Sequence, residues 1–301
     1  MIRYLGTALV TAVLAQVSPV SGQTVESAYK GLSSGPLRHA RLTTLPRGTL
    51  LRAGAIRVTA SQLDTQIAQA SPGLRPELRK NRFFLLEQTA VRLLLTAEAA
   101  GWAKRQKQTG LASDSARIRA YLQSIAAGAT VTDAETRSFY AANKDMVGGA
   151  AYESVAAELK DYLLGQKRQE AVEAHINGLS KRAAVEVDAA WCKAQAASAF
   201  DNPVDRARRS GKPALVDFGS TGCRPCDMLA PILDELRKTF AGKCTVLFVQ
   251  VREQQILAAR YGVQSIPVQI FFDKDGNEVS RHVGFFPKNQ ILARLAAIGV
   301  K

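Results

Sequence analysis

A chain of 301 residues has room for two domains of ordinary size. Its 47% hydrophobic and 22% charged residues are the composition of globular protein, which excludes a wholly disordered or fibrous chain. The formal net charge is +14, but basic clusters such as 79–82, 104–107 and 206–209 are interleaved with acidic and apolar residues and lack an aromatic–basic motif, so they read as solvated helix faces and not as a nucleic-acid surface.

Four cysteines (Cys192, Cys223, Cys226, Cys244) are too few to staple a chain of this length, and the isolated histidines His39, His175 and His282 give no zinc spacing. No metal or nucleic-acid partner is expected.

The first residues have their own pattern. Arg3 precedes an apolar run over 4–15, and Val20, Ser21 and Gly22 follow as small residues. This predicts a secretory signal peptide over 1–22 and a periplasmic, exported protein. The run falls short of the roughly 20 apolar residues that span a bilayer. A retained N-terminal anchor is the alternative.

Residues 23–48 are rich in Ser, Thr, Gly and Pro without a clear period, and are expected to form a flexible linker. A short strand and turn follow over 50–58. Thr59 and Gln62 make a capping box for a helix that Ser71-Pro72-Gly73 ends. A long helix is predicted over 76–104, with Phe83, Leu86, Ala90, Leu93, Leu94 and Ala97 as one apolar stripe. Further helices are predicted over 113–126, after a second capping box at Thr132 and Glu135, and over 152–180. Residues 183–187 read as a strand returning to the first one.

This region resembles the helical chaperone domain of SurA-type periplasmic folding factors, through residues 51–59, the helix 79–97, the segment 132–143 and residues 152–187. That family carries a parvulin prolyl-isomerase domain between its last two helices. Here Asn143 and Tyr152 are separated by a few residues through Gly148-Gly149, which leaves no room for one. The resemblance implies a surface for unfolded proteins without isomerase activity.

From Lys212 the period changes. Residues 213–218 are an apolar strand with a single carboxylate, Asp217, and residues 219–222 are a turn. Cys223-Arg224-Pro225-Cys226 opens a helix. A strand over 245–251, a helix over 254–261, a strand over 268–272, a turn at Asp275-Gly276, a return strand over 278–283 and a helix over 288–297 follow.

A C-x-x-C at a helix start sets its first sulfur against unsatisfied backbone N–H groups and the positive end of the dipole, which lowers a thiol pKa from ~8.5 toward ~7 or below. The second thiol, one turn in, can attack a mixed disulfide and release product. Arg224 adds a positive charge, and Pro225 sits in the first turn, where a missing N–H costs nothing. Half a zinc site or a structural bridge are the other readings of such a pair. Asp217 reads either as an edge-exposed acid or as the proton acceptor for Cys226, and the second is preferred. Pro267 is either a strand start or a cis peptide, which residue physics alone does not decide.

Residues 213–297 resemble thioredoxin. The resemblance is carried by Val216-Asp217-Phe218, Cys223-x-Pro225-Cys226, the run 228–235 (Met-Leu-Ala-Pro-Ile-Leu-Asp-Glu), Tyr261-Gly262-Val263, Ile266-Pro267 and Val283-Gly284. It implies Cys223 as nucleophile, Cys226 as resolving thiol, Asp217 as buried acid, Pro267 as the cis-proline facing the sulfurs and Pro231 as a helix kink. Gly222 stands where the family usually has Trp, Arg224 where it has Gly, and Phe248 where it places a Lys near the buried acid. Gly222, Arg224, Pro225 and Ile266 are therefore expected to tune substrate choice and redox poise.

The chain is expected to combine an α/β thioredoxin fold over 189–301 with a mainly α-helical SurA-like domain over 49–188. Its expected activity is thiol–disulfide exchange on protein disulfides, of reductase or isomerase type. It would need no cofactor beyond the Cys223–Cys226 disulfide and would work with a thiol-donor or acceptor redox partner. The alternative is a non-catalytic holdase whose thioredoxin domain only binds. On the reduced protein, Cys223 should react with iodoacetamide near neutral pH much faster than Cys226; equal rates count against the assignment.

Overall fold

The computed structural model describes residues 22–143 and 148–301, so the expected signal peptide lies outside the described residues apart from Gly22. Residues 23–48 are not a linker. They form helix α1 (Val25–Ala28), a 3-10 turn (Pro36–His39) and strand β1 (Arg41–Thr43), and they bury Val25, Leu32, Leu37, Ala40 and Leu42. The polar composition misleads because a distant group satisfies this segment. Glu87 accepts from the Ser33 hydroxyl at 2.5 Å and the Leu37 N–H at 3.0 Å. Burial pushes the Glu87 carboxyl up, and these donors oppose the shift.

Strands β2 (Thr49–Ala53) and β3 (Ile56–Thr59) form a hairpin around Gly54, whose φ of 57° suits glycine. Helix α2 (Ala60–Gln69) starts at the expected box, with Thr59 and Gln62 capping each other's backbone. The predicted long helix is two: α3 (Arg75–Lys80) and α4 (Arg82–Arg105). Asn81 separates them with non-helical dihedrals, and its side-chain amide donates to the Glu77 carbonyl, so it stops the ladder that the apolar stripe would continue. Phe83, Leu86, Ala90 and Leu94 of the stripe are buried, whereas Leu93 is half-buried and Ala97 is exposed.

Helices α5 (Asp114–Ala126), α6 (Asp133–Ala142) and α7 (Tyr152–Asn177) follow, α6 from the capping box at Thr132 and Glu135. They pack loosely: among the described residues, α5 has no fully buried side chain, and α6 and α7 have Thr136 and Leu159. Tyr121, His175 and Arg182 gather on Glu98 of α4 at 3.2, 2.8 and 3.0 Å, which ties α5 and α7 to the core. After α8 (Leu179–Arg182), strand β4 (Glu186–Asp188) returns as expected, although one to three residues later than the apolar pattern suggests. It inserts between β1, in parallel, and β2, antiparallel, giving the order β1-β4-β2-β3.

Helix α9 (Ala189–Ala199) also departs from the expected boundary at 189. Its Cys192, Ala196 and Ala199 belong to the core built by α4 and the first sheet. Its apolar face is used up there, so the second core starts at Val204 of α10 (Pro203–Arg208).

The C-terminal part follows the predicted order. Strand β5 (Ala214–Gly219), helix α11 (Arg224–Thr239), strand β6 (Thr245–Gln250), helix α12 (Gln255–Arg260), the hairpin of β7 (Val268–Phe272) and β8 (Glu278–Val283), and helix α13 (Lys288–Ala297) succeed one another. The sheet order is β6-β5-β7-β8, with β5 parallel to β6 and antiparallel to β7. Side chains alternate between its faces. Leu215 and Phe271 pack with α11 and α13, while Val216, Phe218 and Ile270 pack with α10 and α12.

The two parts are joined through buried charge. Arg260, 6% exposed, pairs with Asp205, 1% exposed, at 3.2 Å, and also donates to Asn81 Oδ1 at 3.3 Å and the Ala199 carbonyl at 2.9 Å. Tyr261 and Asn202 donate to the same carboxylate. Glu77 accepts from the Ile256 N–H at 3.0 Å, and Ile256 packs on Ile67 and Leu78.

Replacing Arg260 with Met leaves the Asp205 carboxylate, in a dry interface, with only the longer Arg208 pair at 3.5 Å. Urea unfolding should show a loss of about 3 kcal/mol, against no measurable change for Lys274→Ala at an exposed pair. Equal effects of the two substitutions would sink this account.

Candidate active site

The apolar run 214–218 becomes a strand buried along its whole length because helices cover both of its faces. It ends at Gly219, and the turn reaches Cys223, the N-cap residue of α11. Gly222 in that turn has φ 75° with open space beside it, so backbone conformation and not room favours glycine there. Arg224 and Pro225 occupy the first helical turn, Arg224 exposed. The helix continues through Pro231.

Cys223 and Cys226 are joined as a disulfide with Cα atoms 5.2 Å apart. Cys223 is half-buried and Cys226 is 4% exposed. One residue of the pair is partly open to solvent and the other is enclosed. The remaining cysteines, Cys192 and Cys244, are buried thiols in separate cores. Burial pushes Cys192 up to about 12 and Cys244 up to about 11, the opposite of a reactive thiol.

Asp217 sits on a central strand with no exposed surface, not at an edge. Alternation along β5 puts it on the Leu215 face, under α11. Its Oδ2 and the Cβ of Cys226 both line the small space beside Gly219, and a side chain at Gly219 would also meet the Phe248 ring at 2.8 Å. Burial pushes the carboxyl up to about 6, with a hydrogen bond from Gln269 working against the shift.

Gln269 is the residue that sequence reasoning missed. Its Nε2 donates to Asp217 Oδ1 at 2.7 Å, and it too has no exposed surface. The signal was present: an amide in the apolar run Val268-Gln269-Ile270 is as anomalous as the acid in β5. Phe248, at the position where the resemblance to thioredoxin implies a Lys, lies opposite Asp217 on β6 and is 43% exposed. With Cys226, Ala230 and Leu233 it lines a cleft of about 280 Å3. A larger cleft of about 440 Å3 lies between the N-terminal segment and the C-terminal part, and neither cysteine lines it.

The Ile266–Pro267 peptide is cis. Pro267 leads directly into Val268, the partner of Phe218, so it stands at the end of the sheet from which the chain runs to Cys223. Ile266 is half-buried beside it.

A family model described as Thioredoxin matches residues 192–297. A thioredoxin of Alicyclobacillus acidocaldarius subsp. acidocaldarius is 39% identical over 98 residues, which cover 33% of this chain and 92% of that protein. This chain belongs to the thioredoxin family. A thioredoxin of Staphylococcus aureus is 48% identical over 77 residues, 26% of this chain and 73% of that protein. Among solved structures, a mutant thioredoxin from Halobacterium salinarum NRC-1 is 28% identical, covers 33% of this chain and 83% of its own, and superposes with a TM-score of 0.30. The C-terminal region has the thioredoxin fold, and the function is of the thiol–disulfide oxidoreductase kind, with disulfide substrates and redox partners.

The buried thioredoxin-family acid gives a pH-dependent stability. Its pKa in the folded protein, about 6, lies above the ordinary 3.8, so its contribution is fully present below 3.8 and is lost as pH rises through 6. Asp217→Asn removes that titration. Denaturant unfolding should find the variant more stable than the wild type by about 2–3 kcal/mol at neutral pH, with the difference shrinking toward pH 4. A difference independent of pH would refute the assignment.

Proposed function

We propose that this chain is an exported oxidoreductase that reduces or rearranges disulfides in other proteins. The observation that supports this best is the asymmetry of the pair: a half-buried Cys223 at a helix N-terminus, bonded to a buried Cys226 with an ionisable carboxyl beneath it. Cys223 thiolate attacks a substrate disulfide, forming a mixed disulfide and expelling the first substrate thiolate. Cys226 gives its proton to Asp217, attacks Cys223 Sγ, closes the Cys223–Cys226 bond and releases the second substrate thiolate. Two electrons leave the cysteine pair for the substrate, and a thiol partner restores them. Pro267 and Ile266 border the place where the substrate chain lies.

The N-terminal part is proposed as a SurA-like holding surface without isomerase activity. Its support is the loose packing of α5, α6 and α7, where Phe139 and a 48% exposed Tyr162 meet as a tilted pair with centroids 5.7 Å apart. Residues 1–22 are proposed as the export signal that takes the protein to the periplasm.

Ile266 matches the reducing thioredoxins, near −270 mV, whereas a strong oxidant lies near −120 mV. Arg224 stabilises the Cys223 thiolate and so raises the potential, by an effect of about 1 kcal/mol for a partly exposed charge, some tens of millivolts. The sum stays on the reducing side.

The purified protein with dithiothreitol should reduce insulin, and Cys223→Ser should abolish the reaction. A potential between about −200 and −270 mV against glutathione fits a reductase or isomerase. No turnover together with prevention of client aggregation would establish the holdase instead, and a value near −120 mV would make the protein a disulfide donor.

A further inference from the structure

Strand pairing lines up four side chains on the sheet face that α11 covers. Asp217 lies opposite Phe248 of β6 on one side and Gln269 of β7 on the other, and Gln269 lies opposite His282 of β8. The two central residues are bonded, Gln269 Nε2 to Asp217 Oδ1. Each then keeps one buried atom without a hydrogen-bond partner, Oδ2 of Asp217 and Oε1 of Gln269. An unpaired buried polar atom carries an uncompensated desolvation cost, so the pair weakens the fold that holds it. The orphan Oδ2 borders the space beside Gly219 that Cys226 also borders.

We propose that Gln269 is a positioning residue for proton transfer at Cys226: by holding Oδ1 of Asp217 it leaves Oδ2 as the oxygen that takes the thiol proton. This rests on the reading of Asp217 as proton acceptor. In the resolving step the Cys226 proton passes to Oδ2, the Cys226 sulfur bonds to Cys223 Sγ, and the Cys223–substrate bond breaks with its electron pair on the substrate sulfur, which is protonated from water. Asp217 then returns its proton to solvent. With the proton on Oδ2, Oδ1 is the carbonyl oxygen of the acid and still accepts from Gln269. The hydrogen bond serves both protonation states, so nothing has to move when the proton does.

A Lys donor would favour the carboxylate and hold back the return of the proton, and an aliphatic residue would leave both oxygens unheld. The amide is the neutral donor between these extremes. Few ionisable groups compete for control of Asp217. β6 presents Phe248, and α11 presents Cys226, with Asp227, Asp234 and Arg237 lining the cleft beyond it. On β8, His282 stacks on Phe286 with centroids 4.0 Å apart, and its Nε2 lies 3.2 Å from the Phe285 carbonyl.

The test uses the full chain and a fluorescent glutathione disulfide as probe, with release of the mixed disulfide followed in single turnovers between about pH 5 and 9. Gln269→Met should slow release about tenfold at neutral pH and move the acid limb of the profile upward. Gln269→Lys should move that limb downward. Alkylation of Cys223 should stay within about twofold of wild type in both, because the first step does not use the pair. In an Asp217→Asn background, Gln269→Met should add nothing. An unmoved profile in both variants, or an equal loss with and without Asp217, overturns the inference. If the Met variant does not fold, the downward shift with Lys decides alone. Wild-type release by Asp217→Asn would overturn the reading of Asp217 itself, whereas slow release there with normal release by Gln269→Met overturns Gln269 only.

Discussion

Strand β5 is covered on both faces, so every group it carries beneath α11 must be accommodated without water. Its period of two makes the consequence specific. Leu215 fills the core, Asp217 meets Gln269, and Gly219 is small enough for the Phe248 ring to close over it. The strand then delivers the chain to Cys223 at the start of a helix. One element therefore sets the depth of the acid, the clearance beside Cys226 and the exposure of Cys223. A carboxyl in that position weakens the fold once ionised, and it lies beside the enclosed member of the cysteine pair.

The rest of the chain holds this element rigidly against a second body. Asp205 and Arg260 are both nearly sealed from solvent, and the guanidinium bridges the C-terminal core to Asn81 and to the end of α9. Asn81 thus has two uses: it ends α3 through the Glu77 carbonyl, and it accepts from Arg260. Glu87 repeats the device within the N-terminal part, gathering residues 33–37 onto α4. In each case one buried ionisable side chain ties together segments distant in the sequence. Substrates reaching Cys223 therefore meet a domain fixed to its neighbour and not one on a free tether.

Legibility in the sequence followed the range of the interaction. Local signals read correctly: the capping boxes at Thr59 and Thr132, the stripe from Phe83 to Leu94, the apolar run of β5 and the turn at Asp275-Gly276 are each set by residues a few positions apart. Long-range ones did not. Ser33 and Gly35 look like linker residues until Glu87, more than fifty positions away, is seen beneath them. The apolar face of α9 says nothing about which of two cores takes it. Gln269 is intermediate: its oddity in an apolar strand was visible, but its partner lies 52 residues back on another strand.

The two sulfurs answer to different physics. Cys223 stands half-exposed at the helix end with Arg224 one residue on, where charge and dipole act in a medium close to water and their effects are modest and screened by salt. Cys226 is enclosed with Asp217, where desolvation dominates and the Gln269 hydrogen bond offsets it only in part. Phe248 beside the acid carries no charge, and Arg224 places one at the helix start. Charge near the helix start and burial beneath the helix thus act on the two cysteines through separate residues.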